Sequence, residues 1–187
     1  MERRKARIFT RSDDSENLHW LGLVIEERRE VGAIYLTPTI GFRFQEIHRV
    51  IAHVEGEADH PYLPPKVAQN IGYLGPEKSA LSLRITDKAS AGEAALELAH
   101  RIERDGQAFL SNASLPWIIQ HLAELTPWED ASERILVGLH LSGKSETELR
   151  NFSIARTEQG RNENRFYQRF EAFSRRFFSK INSLAGL

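Results

Sequence analysis

The chain has 187 residues, 27% of them charged and 41% hydrophobic, and it contains no cysteine. This length favours one hydrophobic core, and the lack of cysteine excludes disulfides, thiolate metal sites and cysteine nucleophiles. The net charge is −1, but residues 150–187 contain eight basic and three acidic residues, a net charge of +5 that leaves −6 on the rest. Such a basic segment is typical of a surface for acidic partners, or of a tail folded against the chain's own acidic part.

The sequence has no sign of a membrane segment. No stretch approaches the roughly 20 apolar residues that a spanning helix requires. The basic residues near the N-terminus are not followed by the apolar region of a signal peptide. We therefore expect a soluble, cytoplasmic protein without a membrane partner.

The first half of the chain has the patterns of β-strands. Residues 7–11 form a short candidate strand. Residues 18–26 have apolar side chains at both odd and even positions, which is typical of a central strand covered on both faces. The sequence ERREVG then predicts a charged hairpin tip.

Residues 34–44 form a longer candidate strand, because every even position is apolar. We expect the even positions to be buried and the odd ones more exposed. Pro38 cannot donate to a ladder and predicts an irregularity in the middle. Apolar residues then recur every three or four positions, which predicts a helix that ends at Gly56.

Two further strands are predicted over residues 67–74 and 81–86, and helices follow. Ser90 and Glu93 have the spacing of a capping box, which starts a helix continuing to about Leu110. Its predicted apolar stripe contains Ala95, Leu98, Ile102 and Phe109.

Polar capping residues and glycines divide the remaining sequence into four helices. The first begins near Ser114. Thr126 with Glu129, and Ser145 with Glu148, have the spacing of two more capping boxes. The predicted helix ends are Gly143 and Gly160, and the last helix is predicted to begin near Asn162.

Strands in the first half and helices in the second predict an α+β fold, with a mostly antiparallel sheet of four or five strands. We assign residues 1–125 to a sheet domain and residues 126–187 to a helical C-terminal extension packed on it, together one compact unit.

The last helix has a stripe of large apolar residues with basic residues opposite. We interpret the stripe as a core face that packs on the helical pair of residues 127–159, because four exposed phenylalanines would form a patch that monomers rarely tolerate. A helix for partner binding or self-association is the alternative. The stripe contains Phe166, Phe170, Phe173, Phe177, Ile181 and Leu184.

Four residues of this helix are candidates for partner contact. Arg165, Arg169 and Arg176 lie opposite the stripe, and Phe178 widens the apolar face. A protein partner is the favoured interpretation, a homo-oligomer stays open, and a nucleic-acid backbone is the weaker alternative because the aromatic residues lie on the face that needs burial.

No residue is assigned to catalysis or to a metal. His48 and His53 are five positions apart and cannot share a metal on one helix face. His60 lies in an acidic loop whose spacing matches no calcium motif. The sequence has no recognisable motif for a nucleophile, a zinc protease or a phosphate loop, so we expect no cofactor.

Several short strings occur together over residues 7–125: IFTR, a tryptophan strand, TIGFRF, NIGYL and LAHRIERDGQAFL. This combination resembles a bacterial family of uncharacterised small α+β proteins, a domain of unknown function. VIEERRE stands where that family has a Q-x-S element. The resemblance implies no established activity or site residue, and some family members are suspected immunity or accessory proteins of bacterial competition systems.

Together these observations favour a non-enzymatic protein-binding module of a bacterial cytoplasm, with the immunity-like or accessory role that the resemblance implies. Two alternatives stay open. One is a hydrolase or nuclease with an unrecognised acid and histidine site, and the other is nucleic-acid binding through the basic C-terminal helix.

Overall fold

The structure, a computed structural model, describes residues 3–12, 17–60, 65, 67–125, 131–163 and 167–184, without the side chains of residues 3–6, 124, 125, 162 and 163. The strands are β1 (Arg3–Ser12), β2 (Asn17–Arg28), β3 (Ala33–Phe44), β4 (Val67–Asn70) and β5 (Leu83–Ile85). The α-helices are α1 (Gln45–Glu55), α2 (Lys88–Arg101), α3 (Gln107–Ser111), α4 (Leu115–Leu125), α5 (Ala131–Leu141), α6 (Glu146–Glu163) and α7 (Tyr167–Lys180).

The five strands form one sheet, which confirms the predicted α+β class. The order is β1-β2-β3-β4, and β5 also pairs with β3. β1 pairs antiparallel with β2, and β3 pairs antiparallel with both β4 and β5. The predicted hairpin tip is a 3-10 turn that ends at Gly32, whose φ of 58° is left-handed.

β2 has the central position that its sequence predicts, but not the expected cover on both faces. Its neighbours in the sheet are β1 and β3. Only Leu18 and Gly22 of its described residues are buried, and most of the others are half-buried. Apolar residues at both parities therefore indicated the place of this strand in the sheet but not its burial.

β3 follows the predicted burial pattern only in its middle. Pro38, Ile40 and Phe42 are buried as expected. Ile34 is 39% exposed, because it lies beside the hairpin tip and pairs there with the three-residue strand β5. Arg43 is only 1% exposed although its odd position predicted exposure.

Pro38 marks the place where β3 changes its partner strand. β5 pairs with residues 34–36 of β3, and β4 pairs with residues 39–42. Pro38 lies between these two pairings, so its missing N–H interrupts neither ladder. This is the irregularity that the sequence predicted.

The described chain divides into two compact units. One contains Met1–Arg43 and Pro64–Ala113, and the other contains Phe44–Leu63 and Ser114–Leu187. The first therefore has the sheet with α2 and α3, whereas the second has α1 and α4 to α7. The division into 1–125 and 126–187 stays a prediction.

In the first unit the strand predicted over residues 67–74 ends at Asn70. The next residues, Ile71–Tyr73, form a 3-10 turn, because the side chain of Asn70 accepts a hydrogen bond from the N–H of Gly72 at 2.9 Å. The same side chain accepts from the N–H of Leu81 at 2.7 Å and donates to its carbonyl at 2.9 Å. Asn70 thus ties the turn to the segment that leads into β5.

The start of α2 corrects one sequence prediction. Its N-cap is Asp87, which accepts a hydrogen bond from the N–H of Ser90 at 2.8 Å, while the Ser90 hydroxyl accepts from the N–H of Asp87 at 3.0 Å. The predicted box of Ser90 and Glu93 is therefore wrong, since Ser90 is the third residue of the helix rather than its cap. Of the predicted stripe, Phe109 is buried and Leu98 and Ile102 are half-buried, whereas Ala95 is exposed and Ala94 is buried in its place.

The helix predicted to reach Leu110 consists of three joined parts. A π-helical turn, Ile102–Gly106, connects α2 to α3. Gly106 is buried, and a Cβ on it would lie 2.9 Å from Cδ1 of Ile40. The apolar periodicity predicted the helix but could not reveal the widened turn.

In the second unit the phenylalanine stripe of α7 is a core face, as predicted. Phe170 is 5% exposed, and Phe173 and Phe177 are fully buried. α7 contacts α5 and α6, the predicted helical pair, and also α1, which was not anticipated. Phe166 lies outside the described residues.

Gly160 does not end its helix, contrary to the prediction. α6 continues through it to Glu163, and α7 begins at Tyr167 rather than near Asn162. A Cβ on Gly160 would lie 2.7 Å from Cβ of Tyr167. The glycine therefore permits a close approach of the two helices instead of stopping one of them.

The helix boundaries around residue 143 agree with the sequence. α5 ends at Leu141, and Gly143 has a left-handed φ of 77°. At the start of α6, Glu148 accepts from the N–H of Ser145 at 2.9 Å, and the Ser145 hydroxyl accepts from the N–H of Glu148 at 3.3 Å. The capping box predicted for Thr126 and Glu129 lies outside the described residues.

Candidate functional site

The most exposed part of the sheet is its terminal strand. Within the described residues β1 pairs with β2 only, so its second edge has no strand beside it. The side chains of residues 7–12 are all exposed, including Ile8 at 51% and Phe9 at 55%. We call these six residues, with the backbone edge that faces away from β2, the β1 edge.

The β1 edge exposes apolar side chains on both faces of the sheet. Ile8 and Phe9 are neighbours in a strand, so their side chains point to opposite faces. Ile8 lies opposite Gly22 of β2, which offers it no side chain to pack on. The ring of Trp20 occupies the space above Gly22, since a Cβ there would overlap the ring. Both apolar side chains are nevertheless more than half exposed.

The strand is also strongly basic. Its sequence RRKARIFTRS contains five basic residues and no acidic residue. Every second N–H and C=O of an edge strand points away from its neighbour, in the direction from which a further strand can pair. The β1 edge thus combines an outer backbone edge, two exposed apolar side chains and positive charge.

A second surface is a groove between α6 and α7. Its volume is about 420 Å³. Ser153 and Ser174, both buried, hydrogen-bond to each other across it. Glu171 lies 3.5 Å from Arg161 and 3.7 Å from Arg175, so the charges that border the groove are largely paired with one another.

Phe178, one of the predicted partner residues, lines this groove. It is half-buried, and the guanidinium carbon of Arg150 lies 4.3 Å from its ring centre. Its other face meets Phe177 edge-on at 5.3 Å. Phe178 is therefore only partly available to a partner.

The predicted partner residues Arg169 and Arg176 have carboxylates within the chain. Arg169 is 3.1 Å from the buried carboxylate of Glu133 on α5, and Arg176 is 2.6 Å from Glu55 on α1. Arg165 lies outside the described residues. The structure thus places Arg169, Arg176 and Phe178 at three different contacts of α7 and does not bring them together as one surface.

Lys180 completes the contact between α7 and α1. Its ammonium donates to the carbonyl of His53 at 2.8 Å and to that of Val54 at 3.2 Å. These carbonyls lie at the C-terminal end of α1, where a positive charge is favoured by the helix dipole. Arg176 and Lys180 in this way hold α7 to α1.

The described histidines lie outside two grooves of the structure. His53 and His60 are exposed and His48 is half-buried. Neither the groove between α6 and α7 nor a second groove of about 470 Å³ beside the hairpin tip is lined by a described histidine. Within the described residues no three His, Asp or Glu side chains converge in a way that could hold a metal ion.

His140 lies on α5 and is half-buried. Burial lowers its pKa, and the carboxylate of Glu46 partly opposes this effect. Its ring meets Phe177 edge-on at 5.5 Å. The aromatic contact indicates a packing role in the second unit.

A network of charges surrounds the π-helical turn in the first unit. Arg101 donates to Glu77 at 2.8 Å and to Glu97 at 2.7 Å. The hydrogen bond from Arg101 lowers the pKa of Glu77, and that from Arg104 lowers the pKa of Asp105. Carboxylates held in the charged form in this way suit a structural clamp rather than a proton donor.

Comparisons with models of known protein families, with curated proteins and with solved structures found no match for this chain.

No helix in the described ranges combines the length and the apolar character needed to cross a lipid bilayer.

The β1 edge was not among the sites predicted from the sequence. The strand itself was predicted over residues 7–11, but shorter than the observed ten residues. Two signals could have indicated the surface: a strand with basic residues at half its positions, and adjacent apolar residues, Ile8 and Phe9, that cannot face one core.

Proposed function

We propose that this protein is a non-enzymatic protein-binding module that recruits its partner through the β1 edge. The observation that carries the proposal is the terminal strand itself, exposed on both faces and paired with a strand on one side only within the described residues. Long edge strands with exposed apolar residues are normally shortened, covered or bent away, because they invite pairing with another chain. A protein that retains one has a binding surface ready for strand addition.

Two further observations support binding rather than catalysis. The carboxylates with shifted pKa values near the π-helical turn are stabilised in their charged form by arginines. Ion pairs between α7 and neighbouring carboxylates reduce the net positive charge of that helix surface, which weakens nucleic-acid binding through it. An immunity-like or accessory role in a bacterial cytoplasm is the biological setting that we propose, and it rests on the resemblance of residues 7–125.

The test is isolation of the partner from the native host with the full chain, followed by binding measurements between the purified proteins. Phe9→Asp removes the apolar contact on one face of β1. Leu96→Asp is the matched control, since Leu96 is 74% exposed on α2. We expect Phe9→Asp to weaken binding at least tenfold and Leu96→Asp to leave it within twofold of wild type.

Equal binding by wild type and Phe9→Asp would overturn the proposal. Circular dichroism and thermal melting should show that both variants are folded, because both positions are exposed.

A further inference from the structure

The charge and register of β1 indicate which kind of chain it receives. We infer that the partner of the β1 edge is an extended, acidic polypeptide segment that adds to the sheet as a sixth strand beside β1. This inference rests on the proposed function and specifies its partner. It goes further because it favours this occupant over a second copy of this chain and over a nucleic acid.

A second copy is disfavoured by like charges. In a symmetric antiparallel pair the two-fold axis places some residue opposite its own copy. In the register that places Ile8 opposite its own copy, Lys5 lies opposite Arg11. In the register that places Phe9 opposite its own copy, Arg7 lies opposite Arg11. Like charges directly opposite each other destabilise strand pairs.

The remaining symmetric registers that pair most of β1 also place basic residues opposite each other. With Arg7 opposite its own copy, two guanidinium groups meet directly, and with Ala6 opposite Ala6, Lys5 meets Arg7. Every symmetric register that pairs seven or more residues of β1 therefore opposes basic residues. The basic residues thus act against self-association.

The same charges favour an acidic strand. Arg7 and Arg11 lie on one face of β1, four positions apart, on either side of Phe9. A strand with acidic residues at the facing positions and an apolar residue between them would match this order. Arg3 and Arg4 lie opposite Glu27 and Glu26 in the register of β1 with β2, so Arg7 and Arg11 are the basic residues that an added strand would meet.

A nucleic acid matches this surface less well. Its phosphates could meet the basic residues, but it has no repeating amide groups to pair with the outer backbone edge of β1. It would also lie against one face of the sheet, whereas Ile8 and Phe9 are exposed on opposite faces. A peptide strand that runs along the edge can contact both.

The test uses a display library of random decapeptides selected on the purified full-length protein. We expect the enriched peptides to have a net negative charge with alternating apolar residues. Their affinity, measured by fluorescence anisotropy, should decrease as salt increases. Arg7→Glu/Arg11→Glu should weaken binding at least tenfold and should itself enrich basic peptides. Arg84→Glu, an exposed charge reversal on β5, should have less than a twofold effect.

A measurement on the unaltered protein guards against misfolding of the variant. Addition of an enriched peptide should shift the backbone amide resonances of residues 7–12 by nuclear magnetic resonance. Shifts confined to other residues would overturn the inference.

Other outcomes separate this inference from the proposed function. Neutral or basic peptides that bind at β1 would overturn the acidic partner and leave the protein-binding function intact. A concentration-dependent dimer abolished by Phe9→Asp, or oligonucleotide binding abolished by the same change, would identify a different occupant and overturn the inference. A native partner that binds Phe9→Asp as well as wild type would overturn the proposed function itself.

Discussion

Two glycines of the strings TIGFRF and NIGYL permit close approaches in the first unit. A Cβ on Gly41 would lie 2.5 Å from Cγ of Pro65, and one on Gly72 would overlap the carbonyl oxygen of Ser79. Asn70 holds the same region through hydrogen bonds to Leu81. These residues of the two strings therefore have packing roles.

Substitution at Gly72 should be far more harmful than substitution at an open glycine. Gly72→Ala places its Cβ against backbone atoms that cannot move easily, so we expect a loss of more than about 2 kcal/mol in the free energy of unfolding. Gly92→Ala is the matched control, because no atom lies within 4 Å of a Cβ there. It should stabilise α2 by about 1 kcal/mol, the usual difference between glycine and alanine in a helix.

Urea unfolding of both variants provides the measurement. A Gly72→Ala variant as stable as wild type would show that the turn after β4 is not packed against Ser79.

The capping box of α6 gives stability a dependence on pH. A hydrogen bond from Lys144, with further bonds from Ser145, lowers the pKa of Glu148 from its usual 4.5 to about 2. Because the pKa of Glu148 is lower in the folded than in the unfolded chain, its charged carboxylate stabilises the fold above about pH 4.5. This contribution to the free energy of unfolding is lost as the pH falls towards 2. We expect Glu148→Ala to be less stable than wild type at pH 7 and the difference to shrink steadily below pH 4.5.

Urea unfolding of the two proteins from pH 7 to pH 3 tests this, since the effects of other carboxylates cancel between them. A difference that stays constant over this range would contradict the assigned role of Glu148.

At the scale of the elements, α7 shows which features of a helix the spacing of its apolar residues can predict. The spacing of its phenylalanines correctly predicted the buried face, because a regular helix fixes which side chains share a side. It did not predict α1 as a partner, since α1 precedes it by more than a hundred residues. Gly160 was misread for a related reason: a glycine that admits Tyr167 has the same local sequence signal as one that ends a helix.

The buried stripe makes a prediction about stability. Phe173 is fully buried, so Phe173→Ala should lower the free energy of unfolding by about 3–5 kcal/mol through the cavity that it leaves. Phe178→Ala is the comparison, because Phe178 is half-buried at the edge of the groove. It should cost distinctly less.

Chemical denaturation measures both losses. Equal losses at the two positions would show that the stripe is not the core face of α7.

At the scale of the whole molecule, the fold class was more predictable than the candidate site. Alternation over 34–44 and helical spacing after Ser90 are local signals, and they sufficed for an α+β assignment. The order of strands depends on pairing between distant segments, such as Ile34 with Ile85, which local patterns do not contain. The end position of β1 followed from that order, so the sequence indicated the basic and two-sided apolar character of the strand but not its place at the end of the sheet.

The partner residues predicted on α7 were chosen without knowledge of contacts between distant segments of the chain. Exposed arginines opposite a core stripe have the sequence pattern of a binding face. Glu55 and Glu133, which pair with Arg176 and Arg169, come from distant parts of the chain. Such ion pairs become visible only when the helices are placed together, and they offset part of the positive charge of this face.

The most direct test of the central claim is hydrogen–deuterium exchange of the full chain, alone and in complex with the partner isolated from its host. The outward-pointing amides of the β1 edge should exchange rapidly in the free protein, because a strand exposed on one edge leaves them open to water. In the complex, residues 7–12 should become protected at least tenfold, while the amides near Phe178 stay unchanged. Protection at the groove between α6 and α7, with β1 still exchanging rapidly, would contradict the proposed role of the β1 edge.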